Sequence, residues 1–191
     1  PKIIPIDKFL ENILYNNKDG YYSTQNPFGK SGDFITAPSI SFLFSEMIAI
    51  WIISFWENLN RPKKFNIVEL GPGNGDMCKI LIKTFKKFPD FNKSVNILLY
   101  ERSSFLKKIQ KNKIKENNVS WLKAINEIKT GPTLFFGNEF FDAIPIKQFK
   151  KKRDGNIYEK YLKKNKDSSL KIILKKVSKK TTRELEKFKL S

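Results

Sequence analysis

The 191-residue chain has no histidine and one cysteine, Cys78, which excludes an internal disulfide, a multi-cysteine zinc site and any Ser-His-Asp or Cys-His nucleophile formed by this stretch alone. Its 40% hydrophobic and 14% aromatic content is enough to bury a core and excludes wholesale disorder. The net charge of +18 suggests nucleic acid on a first count, but residues 1–75 are neutral while 76–149 carry +7 and 150–191 carry +11. The bases are nearly all lysine, with arginine only at Arg61, Arg102, Arg153 and Arg183. A solvated lysine surface is therefore expected ahead of a phosphate-binding one.

In chain order, Asp7 to Tyr15 places Phe9, Leu10, Ile13 and Leu14 on one helical stripe. Residues 20–32 read as a turn-rich aromatic loop, and 33–36 lead into Ala37-Pro38-Ser39, where Ser39 is the expected N-cap of a long apolar helix. That helix, Ile40 to Trp56, is 17 residues long with Glu46 near its middle. A membrane span wants about 20 apolar residues and tolerates a central carboxylate poorly, so a buried helix of a soluble domain is expected. After the basic linker Arg61 to Lys64, the run FNIVEL (65–70) predicts a strand, Gly75 to Phe88 a helix, VNILLY (95–100) a strand, and Ser103 to Lys115 a helix. Val119 to Leu122 predicts a third strand followed by a weak helix, and Thr133 to Gly137 a fourth.

Strands alternating with helices predict an α/β fold with a parallel sheet and right-handed crossovers. Beyond Pro145 the texture changes. Ile146 to Lys152, Asn156 to Lys163 and Leu170 to Val177, parted by the turn sequences RDGN and KDSS, predict a hairpin or three-stranded meander. The expected organisation is a helical cap over 1–62, a Rossmann-like core over 63–145, a lysine-rich β insertion over 146–180 and the start of a helix over 181–191. Pro1 opens the chain without a signal-peptide pattern, and the helical pattern from Thr181 has no closing glycine or proline. Both ends read as cuts, so a fragment is expected, from the bacterial cytoplasm or, in a eukaryote, the mitochondrial matrix.

The strongest chemical signal is Glu69-Leu70-Gly71-Pro72-Gly73-Asn74-Gly75, between the first core strand and a helix. Glycines at 71, 73 and 75 allow a tight turn and close backbone approach to a ligand. Asp76 stands where the dinucleotide fingerprint needs glycine, and the Gly-Lys-Ser/Thr of a P-loop is missing. E-x-G-x-G-x-G is instead the pattern of class I S-adenosylmethionine sites, whose ligand carries an ammonium and a sulfonium and so favours a carboxylate such as Glu69. The bland alternative is an ordinary tight βα connection. Glu101 closes the second strand, where doubly wound folds place an acid for ribose hydroxyls; it lies 26 residues past Gly75, more than the roughly 20 of dinucleotide folds, and pairing with a neighbouring base is its alternative. Trp121, at the third strand's end, reads as either an adenine platform or a core residue.

After the fourth strand, Asn138-Glu139-Phe140-Phe141-Asp142 puts two carboxylates and an amide beside two phenylalanines. That wall suits a cation, and a guanidinium held by Glu139 and Asp142 would make charge-assisted hydrogen bonds. An N-cap role for Asn138 or Asp142 is the alternative.

The motifs GDFITAP (32–38), FSEMI (44–48), VELGPGNG (68–75), YERS (100–103) and NEFFDAIP (138–145) together resemble, in this order, the MidA family of S-adenosylmethionine-dependent methyltransferases. That family is related to the mitochondrial complex I assembly factor that methylates arginine on a complex I subunit. The resemblance covers about residues 21–149. It implies a class I methyltransferase (Rossmann-like) core with a helical cap and a β-rich insertion, and S-adenosylmethionine as cofactor. It also implies contacts to the cofactor from Glu69, Gly71, Pro72, Gly73, Gly75, Glu101, Trp121 and Asn138. Asp33, Thr36 and Glu46 would line the cleft between cap and core. Ser39 and Asn74 depart from the glutamate and arginine usual in the family, and its members run well beyond this length.

The reaction this implies is methyl transfer to an arginine nitrogen of a protein partner, with Glu139 and Asp142 as the catalytic pair. No metal site and no membrane span are expected, and a protein rather than a nucleic acid is the expected partner. An RNA methyltransferase, suggested by the lysine-rich 150–191 segment, and an assembly factor that keeps the cofactor fold without catalysis are the alternatives.

Overall fold

A computed structural model describes residues 3–29, 32–34 and 41–188. The chain divides into two compact units, one made of Pro1–Asn16 with Ala143–Ser191 and the other of Asn17–Asp142. These units draw their boundaries differently from the sequence: the stretch expected as a cap over 1–62 is shared between them.

The larger unit carries a four-stranded parallel sheet in the order β4-β3-β2-β5, formed by β2 (Phe65–Leu70), β3 (Val95–Tyr100), β4 (Val119–Leu122) and β5 (Thr133–Phe136). The helices are α2 (Tyr21–Thr24), α3 (Phe42–Asn58), α4 (Asp76–Phe85), α5 (Pro89–Ser94) and α6 (Ser104–Lys113). β2 is central and almost wholly buried, with Phe65, Ile67 and Val68 in the core as expected of a strand covered on both faces, and with the polar Asn66 and Glu69 buried alongside them. Parallel pairing puts the ends of β2, β3 and β5, and the loops that follow them, along one edge. That edge is where open α/β sheets bind ligands.

The core packs Ile67, Ile97 and Leu99 of the sheet against Cys78, Leu81 and Phe85 of α4 and Ala49, Ile52 and Ile53 of α3. Phe91, from α5, lies edge-on to Phe85 with ring centroids 4.8 Å apart and to Trp56 at 5.3 Å. Asn66, buried in β2, donates to the Lys129 carbonyl at 3.1 Å and to Thr133 Oγ1 at 3.3 Å, and accepts from Asn96 Nδ2 at 3.2 Å. It thereby links β2 to the approach to β5, on one side, and to β3 on the other.

Several sequence expectations shift. Ser39 and Thr36 lie outside the described residues, and the cap of α3 is Ser41, whose Oγ accepts from the Leu43 N–H at 3.2 Å. The helix expected to run to Phe88 stops at Phe85, and Pro89, which suits a first helical turn, opens the separate α5. The weak helix after β4 is a single 3₁₀ turn, Ile125–Glu127.

The smaller unit contains β1 (Ile3–Pro5), α1 (Ile6–Tyr15), β6 (Phe149–Lys151), β7 (Ile157–Lys164), β8 (Leu170–Lys176) and α7 (Lys179–Glu186). Strands β6, β7 and β8 make the expected antiparallel meander. In addition, β1 pairs antiparallel with β7, Ile4 opposite Leu162. Lys147 strengthens the same joint, with Nζ 2.7 Å from Glu159 Oε1 and 3.6 Å from Asp7 Oδ2. No helix among the described residues is long and apolar enough to cross a membrane, and no cluster of three metal-ligating side chains occurs among them.

Candidate functional site

Glu69, fifth residue of β2, is 4% exposed, and its Oε2 has no hydrogen-bond partner within the protein. Burial, and secondarily the charge of Glu101, pushes its carboxyl up to about 8. A buried carboxyl oxygen without a donor carries a desolvation cost that a cation or a hydrogen-bond donor would relieve. Glu101, just past β3, is 7% exposed. Its Oε1 accepts from the Ser103 N–H at 2.8 Å and its Oε2 from Gln110 Nε2 at 3.3 Å. Burial raises its carboxyl too, partly offset by those donors. The Arg102 backbone N–H, a further donor, lowers the same carboxyl.

Between them runs the glycine loop. Gly71, Gly73 and Gly75 have φ of +65°, +54° and +80°, values that L side chains rarely adopt. The space a Cβ would need is filled by the protein's own side chains. On Gly71 it would come within 2.7 Å of the Phe140 ring, on Gly73 within 3.2 Å of the Phe28 ring, and on Gly75 within 3.2 Å of Ile114. The glycines thus serve the turn and its packing first. Pro72 is buried and its carbonyl accepts from Gly75 N–H at 2.8 Å. Asn74 closes onto Asp76 at the start of α4, accepting its N–H at 3.2 Å and donating to its carboxylate at 2.7 Å, while Lys113 pairs with the same carboxylate.

Trp121 is half-buried and donates from Nε1 to Gln110 Oε1 at 2.8 Å. Asn138 is half-buried; Glu139 and Asp142 are exposed, all on the loop that follows β5. Glu139 stands at φ +53°, an uncommon backbone state for a non-glycine residue. Phe140 and Phe141 meet edge-to-face at 5.6 Å.

Asp33 is exposed and accepts a 2.5 Å hydrogen bond from the Tyr21 hydroxyl, which pushes the Tyr21 phenol up to about 12. It belongs to an aromatic segment in which Tyr22 stacks on Phe28 at 6.2 Å and Phe34 lies edge-on to Tyr21 at 6.0 Å. The Tyr22 carbonyl accepts from Ser103 Oγ at 2.5 Å, which fastens this segment to the start of α6. Glu46 is half-buried on α3, and no hydrogen bond among the described residues joins it to Glu69 or Glu101.

Ser103, the last residue of the YERS motif, caps α6. Two participants had no sequence motif: Phe28 packs on Gly73, and Gln110, fully buried, reaches the loop, Glu101 and Trp121 together. The last left one trace: position 110 falls between Leu106 and Ile114 on the inward stripe of α6, where an unpartnered amide is not tolerated.

Residues 47–190 match the family model described as "Putative S-adenosyl-L-methionine-dependent methyltransferase". The chain belongs to this family. Its motifs and its fold agree on that membership, and Glu69 and Glu101 beside the glycine loop fit the family's cofactor, S-adenosylmethionine, which pairs cationic groups with ribose hydroxyls. Curated relatives include the mitochondrial protein arginine methyltransferase NDUFAF7 homolog of Caenorhabditis elegans, 35% identical over 87% of this chain and 44% of its own length. Another is its Drosophila melanogaster counterpart, 31% identical over 75% and 38%. A Burkholderia thailandensis protein crystallised with S-adenosyl-homocysteine shares the fold at a TM-score of 0.79 and 22% identity, over 96% of this chain and 49% of that one. This methyltransferase-family chain therefore spans less than half the length of the curated relatives it matches.

Proposed function

We propose that the whole protein transfers a methyl group from S-adenosylmethionine to an arginine side chain of a protein partner. The observation that carries the cofactor half of this reading is the buried, unpartnered Oε2 of Glu69 at the carboxyl edge of the sheet. When bound, S-adenosylmethionine supplies an electrophilic methyl on a sulfonium. Glu69 supplies the negative charge that an ammonium or sulfonium seeks. Glu101, already oriented by Ser103 and Gln110, accepts from ribose hydroxyls, and the Trp121 ring offers a face for adenine. Asn138 and the Gly71–Gly75 turn complete the cradle.

For the acceptor half, Glu139 and Asp142 are exposed acids on the loop after β5. They grip a guanidinium by charge-assisted hydrogen bonds and fix which nitrogen faces the methyl. Asp33 and Glu46 serve the acceptor in this reading. The names of the relatives, protein arginine methyltransferases, support arginine as acceptor. Their names also carry the label mitochondrial, which supports a matrix location for a eukaryotic protein.

A calorimetric titration of S-adenosylmethionine into the full-length protein, with NAD as control, tests the cofactor half. Saturable binding that NAD does not imitate, and that Gly73→Val removes while the protein stays folded, is expected. Absence of binding overturns it.

A second reading, a docking factor that keeps the fold without catalysis, is favoured by α3. Leu43, Met47, Ile50, Trp51 and Phe55 lie exposed on the helix face opposite the buried Ser45, Ala49, Ile52 and Trp56. A Glu139→Gln, Asp142→Asn double variant that loses methylation yet keeps cellular function would select this reading.

A further inference from the structure

The Gln110 side chain is 0% exposed and every polar atom it has is used. An indole N–H can only donate, so the 2.8 Å bond from Trp121 Nε1 identifies the Gln110 atom facing it as the carbonyl oxygen. The amide nitrogen is thereby turned the other way, where it donates to the Gly73 carbonyl at 2.6 Å and to Glu101 Oε2 at 3.3 Å. Three segments converge on one amide: the glycine loop after β2, the acid after β3 and the tryptophan of β4. Each contributes a residue to the cofactor reading above, on which this inference rests.

We propose that Gln110 is a positioning residue that sets the glycine loop, the Glu101 carboxylate and the Trp121 ring in mutual register for the nucleoside part of the cofactor. It touches none of the ligand itself. The loop's backbone is left-handed at three glycines and thus has little intrinsic preference for one conformation; the bond to the Gly73 carbonyl joins the Gly75 N–H to Pro72 carbonyl bond in fixing it, and is the one that ties it to Glu101 and Trp121. Glu101 could rotate about its own side chain, and the Ser103 N–H fixes only one of its oxygens. Gln110 fixes the other. The Trp121 indole is fixed by the same amide, so the plane offered to adenine and the acid offered to ribose cannot move independently.

Two substitutions in the full-length protein separate this from a role in folding alone. Gln110→Met keeps the length and volume but removes all three bonds. Gln110→Glu keeps the acceptor for Trp121 and replaces the donor with a second acceptor beside Glu101. Amide hydrogen exchange of the Gly71–Gly75 loop needs no ligand. We expect it to speed up severalfold in both variants while exchange in β2 and β3 is unchanged. S-adenosyl-homocysteine affinity, by calorimetry, should fall about tenfold in Gln110→Met. In Gln110→Glu the acid limb of binding should also move to higher pH, because Glu101 loses a donor and gains a charged neighbour.

A Gln110→Met protein that is folded, with loop exchange, affinity and pH profile all like wild type, overturns the proposal. Should Gln110→Met fail to fold, Trp121→Phe decides. It keeps a ring for adenine but lets the amide rotate, and it should speed loop exchange; unchanged exchange overturns the proposal. Wild-type protein that binds no S-adenosyl-homocysteine would instead sink the cofactor reading, and loop exchange would still judge the clamp.

Discussion

The ring of Phe140 lies against Gly71 so closely that a Cβ there would sit 2.7 Å from it. One residue belongs to the turn after β2, the other to the loop after β5, and Phe140 is next to the exposed Glu139. Gly71→Ala therefore meets two obstacles, a φ of +65° and the ring. The backbone conformation alone costs an L residue about 1–2 kcal/mol, so a drop in melting temperature of at least a few degrees is expected. Adding Phe140→Ala relieves the collision and leaves the backbone cost, so the double variant should lose less than the two single changes predict. Calorimetric unfolding of the four proteins checks this; simple additivity would show that the two residues do not interact.

Glu69 makes stability depend on pH. Its carboxyl is pushed up from 4.5 to about 8 in the folded protein. Between those values the folded state holds a proton that the unfolded chain releases, so stability falls as pH rises from about 4.5 toward 8. A glutamine at this position has no proton to lose, and Glu69→Gln should flatten that part of the melting-temperature profile. Binding of a cation beside Glu69 favours its charged form. Titrations of S-adenosylmethionine near pH 7 in buffers of different ionisation enthalpy should reveal proton release by wild type and none by Glu69→Gln.

Much of this was legible in the sequence because the central strands are short β-branched or aromatic runs, each followed by a turn. FNIVEL leads into three glycines, and VNILLY leads into Glu101 and the helix-capping Ser103. What was not legible depends on partners distant in the chain. β1 forms only because β7, more than 150 residues later, pairs with Ile3–Pro5. The need for glycine at 71 and 73 comes as much from Phe140 and Phe28 as from any ligand. Ser39 and Ser41 both precede the apolar run of α3, and only backbone geometry chooses Ser41. Gln110 sits in a helix otherwise rich in lysine and shows its importance only through its three partners.

Glu139 is held at φ +53°, which asparagine tolerates better than glutamate. Glu139→Asn should leave the melting temperature unchanged or slightly raised, yet shorten the carboxylate away and remove its charge. In the full-length protein we expect methyl transfer to arginine to fall by at least tenfold while S-adenosyl-homocysteine affinity stays within twofold. Labelled methyl transfer followed by amino-acid analysis reads the first quantity and calorimetry the second. Loss of affinity in parallel with activity would assign Glu139 to the cofactor instead, and undiminished transfer would remove it from the reaction.

Ser103 works in two directions through one hydroxyl. Its Oγ accepts from the Leu106 N–H at 3.1 Å, capping α6, and donates to the Tyr22 carbonyl at 2.5 Å. Its backbone N–H meanwhile holds Glu101. Ser103→Ala keeps that N–H but loses both hydroxyl bonds. Loss of an N-cap costs about 1 kcal/mol, and the part-buried Tyr22 bond adds up to a similar amount, about 1 kcal/mol. We expect a melting temperature lower by several degrees. Amide exchange should quicken at two places, the first turn of α6 and the Tyr21–Thr24 helix. Ser103→Thr retains a hydroxyl at the same position and should recover most of both effects. Quickened exchange in α6 alone would mean that the Tyr22 bond does not anchor the aromatic segment, and that the stacking of Tyr22 on Phe28 holds it to the glycine loop instead.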